Sequence, residues 1–190
     1  MNHLKHFAKK VISKEYRQLC KQVEALKTLP IDDAYDKAGD MLHQLCIRKA
    51  AEFVKDAQAR DESPFRDLHE HDFFHEMLIV DLWMADKVFA GKRKAVADSL
   101  HKQYERVFYL SGHADKSLEE MRRKFEMYSD TWCDITGHQD EFGLAVSKNL
   151  FGNREFRAPH TSFWIVWHAD EMKKLFVEIR KLMKGLKSKA

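Results

Sequence analysis

The chain has 190 residues, a net charge of +3, and 44% apolar and 33% charged residues, with both signs mixed along most of its length. That balance fits a globular chain long enough to bury a core, and the charge is too mild for a nucleic-acid surface spread over the whole molecule. Seven glycines and three prolines leave too few turns for a β-sandwich or barrel, so the expected class is all-α, a single domain over 1–190 built as a bundle of six to seven helices.

Apolar residues spaced three and four apart mark the helices in order. Leu4, Phe7, Val11, Tyr16, Leu19, Val23 and Leu26 form the first stripe, an N-terminal arm over 1–29 closed by Leu29-Pro30. Tyr35, Ala38, Leu42, Leu45, Phe53 and Ala57 mark a second helix that ends before Ser63-Pro64. The third is expected from about Asp67 to Ala90 and stops at Gly91. Met77–Val80 and Leu82–Ala85 are apolar around the whole circumference, so this is the central helix of the bundle.

A fourth helix carries Val96, Leu100, Tyr104, Val107 and Leu110 and ends at Gly112, and a fifth carries Leu118, Met121, Phe125, Tyr128 and Trp132. A short sixth spans Asp140 to Phe151, with Gly152 as its C-cap. After a loop from Asn153 to Pro159, Thr161 or Ser162 can cap a seventh helix over 161–190, with Trp164, His168, Met172, Leu175, Ile179 and Leu182 along its stripe. Its end gathers Lys173, Lys174, Arg180, Lys181, Lys184, Lys187 and Lys189, either a solvated helix end or a contact for an acidic partner or lipid surface through 173–189.

Cys20, Cys46 and Cys133 form no CxxC pair and read as small buried hydrophobes in a reducing compartment. Met1–His6 leads into no apolar segment of a secretory signal, and the longest apolar runs are far short of a membrane span. The expected location is cytoplasmic, with a peripheral position on the inner membrane face as an extension of the basic tail.

Candidate chemistry concentrates in Arg66-Asp67-Leu68-His69-Glu70-His71-Asp72-Phe73-Phe74-His75-Glu76. His71 and His75 stand four apart, share a helix face, and can hold one metal ion, a transition metal or a haem iron. Asp81 interrupts the apolar run one to two turns deeper, where a carboxylate must find a partner or shift its pKa upward. His168 on the seventh helix can complete a set of His71, His75, Asp81 and His168. Asp72-x-x-His75 repeats the spacing of Asp40-x-x-His43, a layout related to carboxylate-bridged di-metal bundles. The other reading of all these residues is structural: histidines at a polar helix entrance and a buried ion pair.

Arg66 to His71 also resembles the signature of HEPN-type helical ribonucleases, which implies His71 as acid–base and Arg66 on a phosphate. No nucleophile elbow, P-loop or dinucleotide fingerprint is present. Tyr104, Phe108, Tyr109, Trp132 and Trp164 are expected either as core or as a groove for an apolar client or partner helix.

Residues 72–153 resemble the ubiquinol–cytochrome c chaperone family. The resemblance is carried by Phe74–Trp83, the paired aromatics of Val107-Phe108-Tyr109, Ser117–Tyr128, and the ending Leu144-Ala145-Val146-Ser147-Lys148-Asn149-Leu150-Phe151-Gly152. It implies a non-enzymatic, membrane-proximal assembly factor that binds an apolar client and has no catalytic residues. Together these readings favour a non-enzymatic helical binding or assembly protein, with a metal- or haem-binding bundle and a ribonuclease as rivals.

Overall fold

The computed structural model describes residues 14, 16–111, 114–135, 137–152, 154 and 158–186, with the side chains of 108–111, 114, 115 and 158 excepted. Among them the chain is an all-α bundle with no strand. Residues 16–26 form α1; then follow α2 (Ile31–Gln58), α3 (Glu70–Phe89), α4 (Lys94–Ser111), α5 (Ala114–Thr131), α6 (Asp140–Phe151) and α7 (Ala158–Leu182), with a closing 3₁₀ turn at Met183–Gly185.

The central helix is α3. Every residue from Glu76 to Ala85 is buried, and α3 touches α2, α4, α5, α6 and α7. Its Trp83 anchors an aromatic box, stacked on Phe142 at 5.2 Å and edge-on to Tyr128 and Trp132 at 5.7 and 5.6 Å. The indole N–H of Trp83 donates to Ser129 Oγ at 3.0 Å, so the buried donor has its partner. A second aromatic set, Phe53, Phe65 and Phe73, closes the other end of α3, with Phe65 stacked on Phe73 at 4.8 Å.

Helix ends follow local chemistry, with two departures from expectation. α3 begins at Glu70 rather than near Asp67. The amide of Gln58 donates to the Phe65 and Leu68 carbonyls at 3.3 and 2.9 Å, which fixes 65–68 as turn rather than helix. α7 begins at Ala158, three residues before the expected caps. Pro159 suits a first helical turn, where no N–H partner is lost. Thr161 and Ser162 are buried, and a Cβ on Gly143 of α6 would lie 2.8 Å from Ser162 Cβ. Ser162 thus lies in the close α6–α7 approach. Gly152 ends α6 with φ 57°, as its sequence position implied.

Of the basic end, Lys187 and Lys189 lie outside the described residues. Lys173 bonds Asp134 at 2.9 Å, Lys174 bonds Glu171 at 2.7 Å, and Lys181 bonds Glu178 at 2.6 Å. Arg180 donates to the Val88 carbonyl at 2.7 Å and so closes the C-terminal turn of α3 from the neighbouring helix. No helix among the described residues is long and apolar enough to cross a membrane.

The tightest crossing is α2 on α4, where a Cβ on Gly39 would sit 2.6 Å from the Ser99 carbonyl carbon. Gly39→Ala must push two helix backbones apart and is expected to cost about 2 kcal/mol, a Tm fall of roughly 4–8 °C. Gly91→Ala, facing open space, is the control and should stay within about 0.5 kcal/mol of the natural chain. Thermal unfolding followed by circular dichroism reads both.

Candidate functional site

The histidine-rich entrance to α3 is mostly solvated. His71 and His75 do share a face, with parallel rings 6.5 Å apart, but His71 is exposed and its nearest carboxylate is Asp72 at 3.7 Å. His75 is half-buried, and burial, reinforced by the Lys124 charge, lowers its pKa. Asp81 lies six residues on, about 9 Å along the axis and roughly 120° around the helix from His75, so the four expected ligands cannot meet. Among the described residues no group of three or more His, Cys, Asp or Glu side chains is placed to hold a metal ion. His43 is buried edge-on to the Tyr104 ring at 6.4 Å, while Asp40 is exposed. Arg66 is exposed in the turn before α3, 3.6 Å from Asp61.

α3 buries two carboxylates, and they are treated differently. Glu76 is fully partnered. Lys124 of α5 donates to Oε2 at 2.6 Å, Asn149 of α6 donates to Oε1 at 2.9 Å, and Tyr128 of α5 also donates to Oε1. Lys124 reaches Glu120 as well, at 2.8 Å. Burial works against the Lys124 charge, but Glu76 and Glu120 outweigh it and hold its pKa above the ordinary value. Burial and then Glu76 push the Tyr128 phenol well up. With each acceptor oxygen satisfied, this cluster is a clamp joining α3, α5 and α6. In the sequence Glu76 closes the histidine-rich stretch, Tyr128 lies on the fifth apolar stripe and Asn149 in the Asn-Leu-Phe-Gly ending, with no pattern that joins them.

Asp81 is fully buried and half-satisfied. Its Oδ1 meets Nε2 of His168 at 2.8 Å, while Oδ2 has no hydrogen-bond partner. Burial raises its pKa, an effect that His168 and, more weakly, Lys49 offset in part. The nearby Cys46 thiol is pushed up by burial and then by Asp81. The roles at this contact depend on the tautomer of the imidazole; in a pair of no net charge the remaining hydrogen stands on Nδ1, whichever of Nε2 and Oδ1 holds the shared one. Nδ1 has no partner among the described residues yet, unlike Asp81 Oδ2, is not sealed from solvent.

His168 opens onto a groove of about 430 Å³ between α2 and α7, within the size range of ligand pockets. Phe53 lies against the His168 ring at 4.4 Å. Trp164 and Trp167 form the α7 wall, edge-on at 6.1 Å, with the Arg60 guanidinium 4.4 Å over Trp164. Met172 and Leu175 continue that wall, Tyr16 of α1 also lines the groove, and its charged lining is mixed, with Glu52, Asp56, Glu171 and Glu178 beside Lys49, Arg60 and Lys174. Trp167 is 51% exposed, a large apolar group left to water at a site with a polar floor.

The aromatic residues expected to form a client surface therefore divide. Tyr104 and Trp132 are core, 3% and 8% exposed. Burial raises the Tyr104 pKa, and Trp132 donates to Asp134 at 2.8 Å. The side chains of Phe108 and Tyr109 lie outside the described residues. Of the three whose side chains are described, Trp164 alone lines the groove. Comparison with family models, with curated proteins and with solved structures finds no match.

The clamp and the pair respond to different tests. Lys124→Met leaves Glu76 buried without its cation and is expected to cost about 3–5 kcal/mol, of which a second change, Glu76→Leu, should restore at least half. Urea unfolding of the single and double variants measures this. For Asp81 the folded state favours the protonated carboxyl. Its stabilising contribution is therefore full below the ordinary carboxylate value of 3.8 and is lost as pH rises through the raised folded value. Asp81→Asn carries no such dependence. Relative to the natural chain it should gain stability as pH rises above 3.8 in a series of urea unfolding curves; a constant difference would contradict the assignment.

Proposed function

We propose that the protein is a non-enzymatic binding protein. It takes an apolar client group into the α2–α7 groove and holds a hydrogen-bond acceptor of that group on His168. The observation that carries this reading is the pairing of an open aromatic wall, Trp164 and Trp167, with a floor whose imidazole is backed by the buried Asp81. An Asp–His pair can also orient a general base. Among the described residues no Ser, Thr or Cys side chain lines the groove to serve as nucleophile, and recognition accounts for the geometry more fully than covalent catalysis does. The resemblance over residues 72–153 implies the same class of function, although both groove walls lie outside that stretch.

A matched pair of probes tests the reading by isothermal titration calorimetry. The probe 1-naphthoate offers an acceptor and 1-naphthylmethylamine a donor on the same ring system. The naphthoate is expected to bind about tenfold tighter, the effect of roughly 1.4 kcal/mol. Trp164→Ala should weaken it by about tenfold through lost stacking, while Tyr104→Phe in the core should leave it unchanged. Equal affinity for the two probes would refute acceptor recognition, and an unchanged affinity in Trp164→Ala would refute the groove.

A further inference from the structure

Two charged side chains of the α2–α7 groove stand apart from the rest. Glu52 is paired with Lys49 at 2.9 Å, Glu171 with Lys174 at 2.7 Å, and Glu178 with Lys181 at 2.6 Å. Asp56 and Arg60 are left, and neither side chain has an ion-pair or hydrogen-bond partner among the described residues. A separation of four residues would ordinarily let these two meet. Arg60, just past the end of α2, instead places its guanidinium 4.4 Å over the Trp164 ring. Cation–π attraction holds a guanidinium there while its N–H groups stay available to an acceptor.

Phe53 meets His168 and Arg60 meets Trp164, so the two walls run antiparallel and these contacts follow one another along the groove. His168 and Trp164 are one turn apart on α7, about 6 Å. The imidazole and the guanidinium therefore flank one stretch of the aromatic wall, and they supply different things. In a pair of no net charge with Asp81, His168 offers a donor without a charge. Arg60 carries a full positive charge and a fork of donors that matches a carboxylate.

We propose that the client is a small apolar carboxylic acid, its carboxylate accepting from His168 and Arg60 and its hydrocarbon body lying along Trp164 and Trp167. The proposal rests on reading the groove as the client site and names the chemistry of the acceptor. A groove of about 430 Å³ holds a body of that size. Three of its four carboxylates are already offset by lysines, which leaves Asp56 alone to oppose the anion.

Isothermal titration calorimetry of the full chain compares 1-naphthoate with 1-acetonaphthone, which keeps the ring and the carbonyl and has a methyl group in place of the anionic oxygen. The naphthoate is expected to bind about tenfold tighter, by a margin that shrinks as salt is raised to about 0.5 M. Arg60→Gln should weaken the naphthoate about tenfold and leave 1-acetonaphthone within about twofold, which separates charge recognition from lost packing on Trp164. Arg60 is exposed, so this change does not endanger the fold. Arg60→Lys keeps the charge without the fork and should recover part of the loss, and Asp56→Asn should tighten the naphthoate by about twofold. Equal affinity for the two probes would overturn the carboxylic acid and leave the acceptor on His168 standing, whereas failure of both to bind would bring down the two proposals together. An unchanged naphthoate affinity in Arg60→Gln would remove Arg60 and with it the anionic client. Tighter binding of acetyl-Gly-Gly-Phe than of 1-naphthoate would overturn the small acid in favour of a chain terminus.

Discussion

Removing two carboxylates from water along one helix is the constraint around which this molecule is arranged. α3 runs through the centre of the bundle, and Glu76 and Asp81 sit within its fully buried stretch. An unpaired ionised carboxylate in such a place costs several kcal/mol, a large part of the 5–15 kcal/mol by which a domain is stable at all. Each must therefore draw partners from whichever helices pack against it. Glu76 draws α5 and α6 through Lys124, Tyr128 and Asn149. Asp81 draws α7 through His168. The surrounding helices are thus held in register by polar contacts whose failure is costly, on top of an aromatic core that is tolerant of small slips.

The two solutions differ in completeness, and that difference separates support from site. At Glu76 both oxygens accept, and Lys124 is shared with Glu120; a satisfied network of this kind rigidifies its neighbours. At Asp81 one oxygen has no partner, and the histidine on the other has its second nitrogen open toward a groove. A structural pair would more cheaply be replaced by apolar side chains of the same volume. Here the pair sets an imidazole at the foot of an aromatic groove.

Much of the fold is legible in the letters. Met77–Val80 and Leu82–Ala85, apolar around the whole circumference with Asp81 alone between them, mark α3 as central, because such a helix must be covered on all sides. Gly152 marks the end of α6 because a left-handed residue is needed there. Asp81 and His168 could be singled out, since a charge on a buried stripe and a histidine on an apolar one each demand a partner. What the letters do not carry is which partners meet. Glu76 and Lys124 look like ordinary surface charges, and only the packing of α5 against α3 turns them inward. His71 and His75 have the spacing of ligands, but helix geometry rotates Asp81 away from them. α7 starts before Thr161 and Ser162, good caps by chemistry, and Ser162 lies instead against Gly143 of α6.

The groove shows the same limit from the other side. Its walls come from residues 49–60 and 164–178, more than a hundred positions apart, and no local pattern joins them. Trp164 was visible as one aromatic among several. The property that sets it apart from Tyr104 and Trp132 is exposure beside a polar floor, which exists only once α2 and α7 both lean on α3. Because both walls pack on the helix that carries Asp81, the position of the His168 ring, the width of the groove and the satisfaction of the buried carboxylate are one geometric quantity. A ligand that pulls on Nδ1 pulls on the bond that positions α7. If the groove takes a client as proposed, its occupancy and the stability of the central helix bias each other by the same free energy.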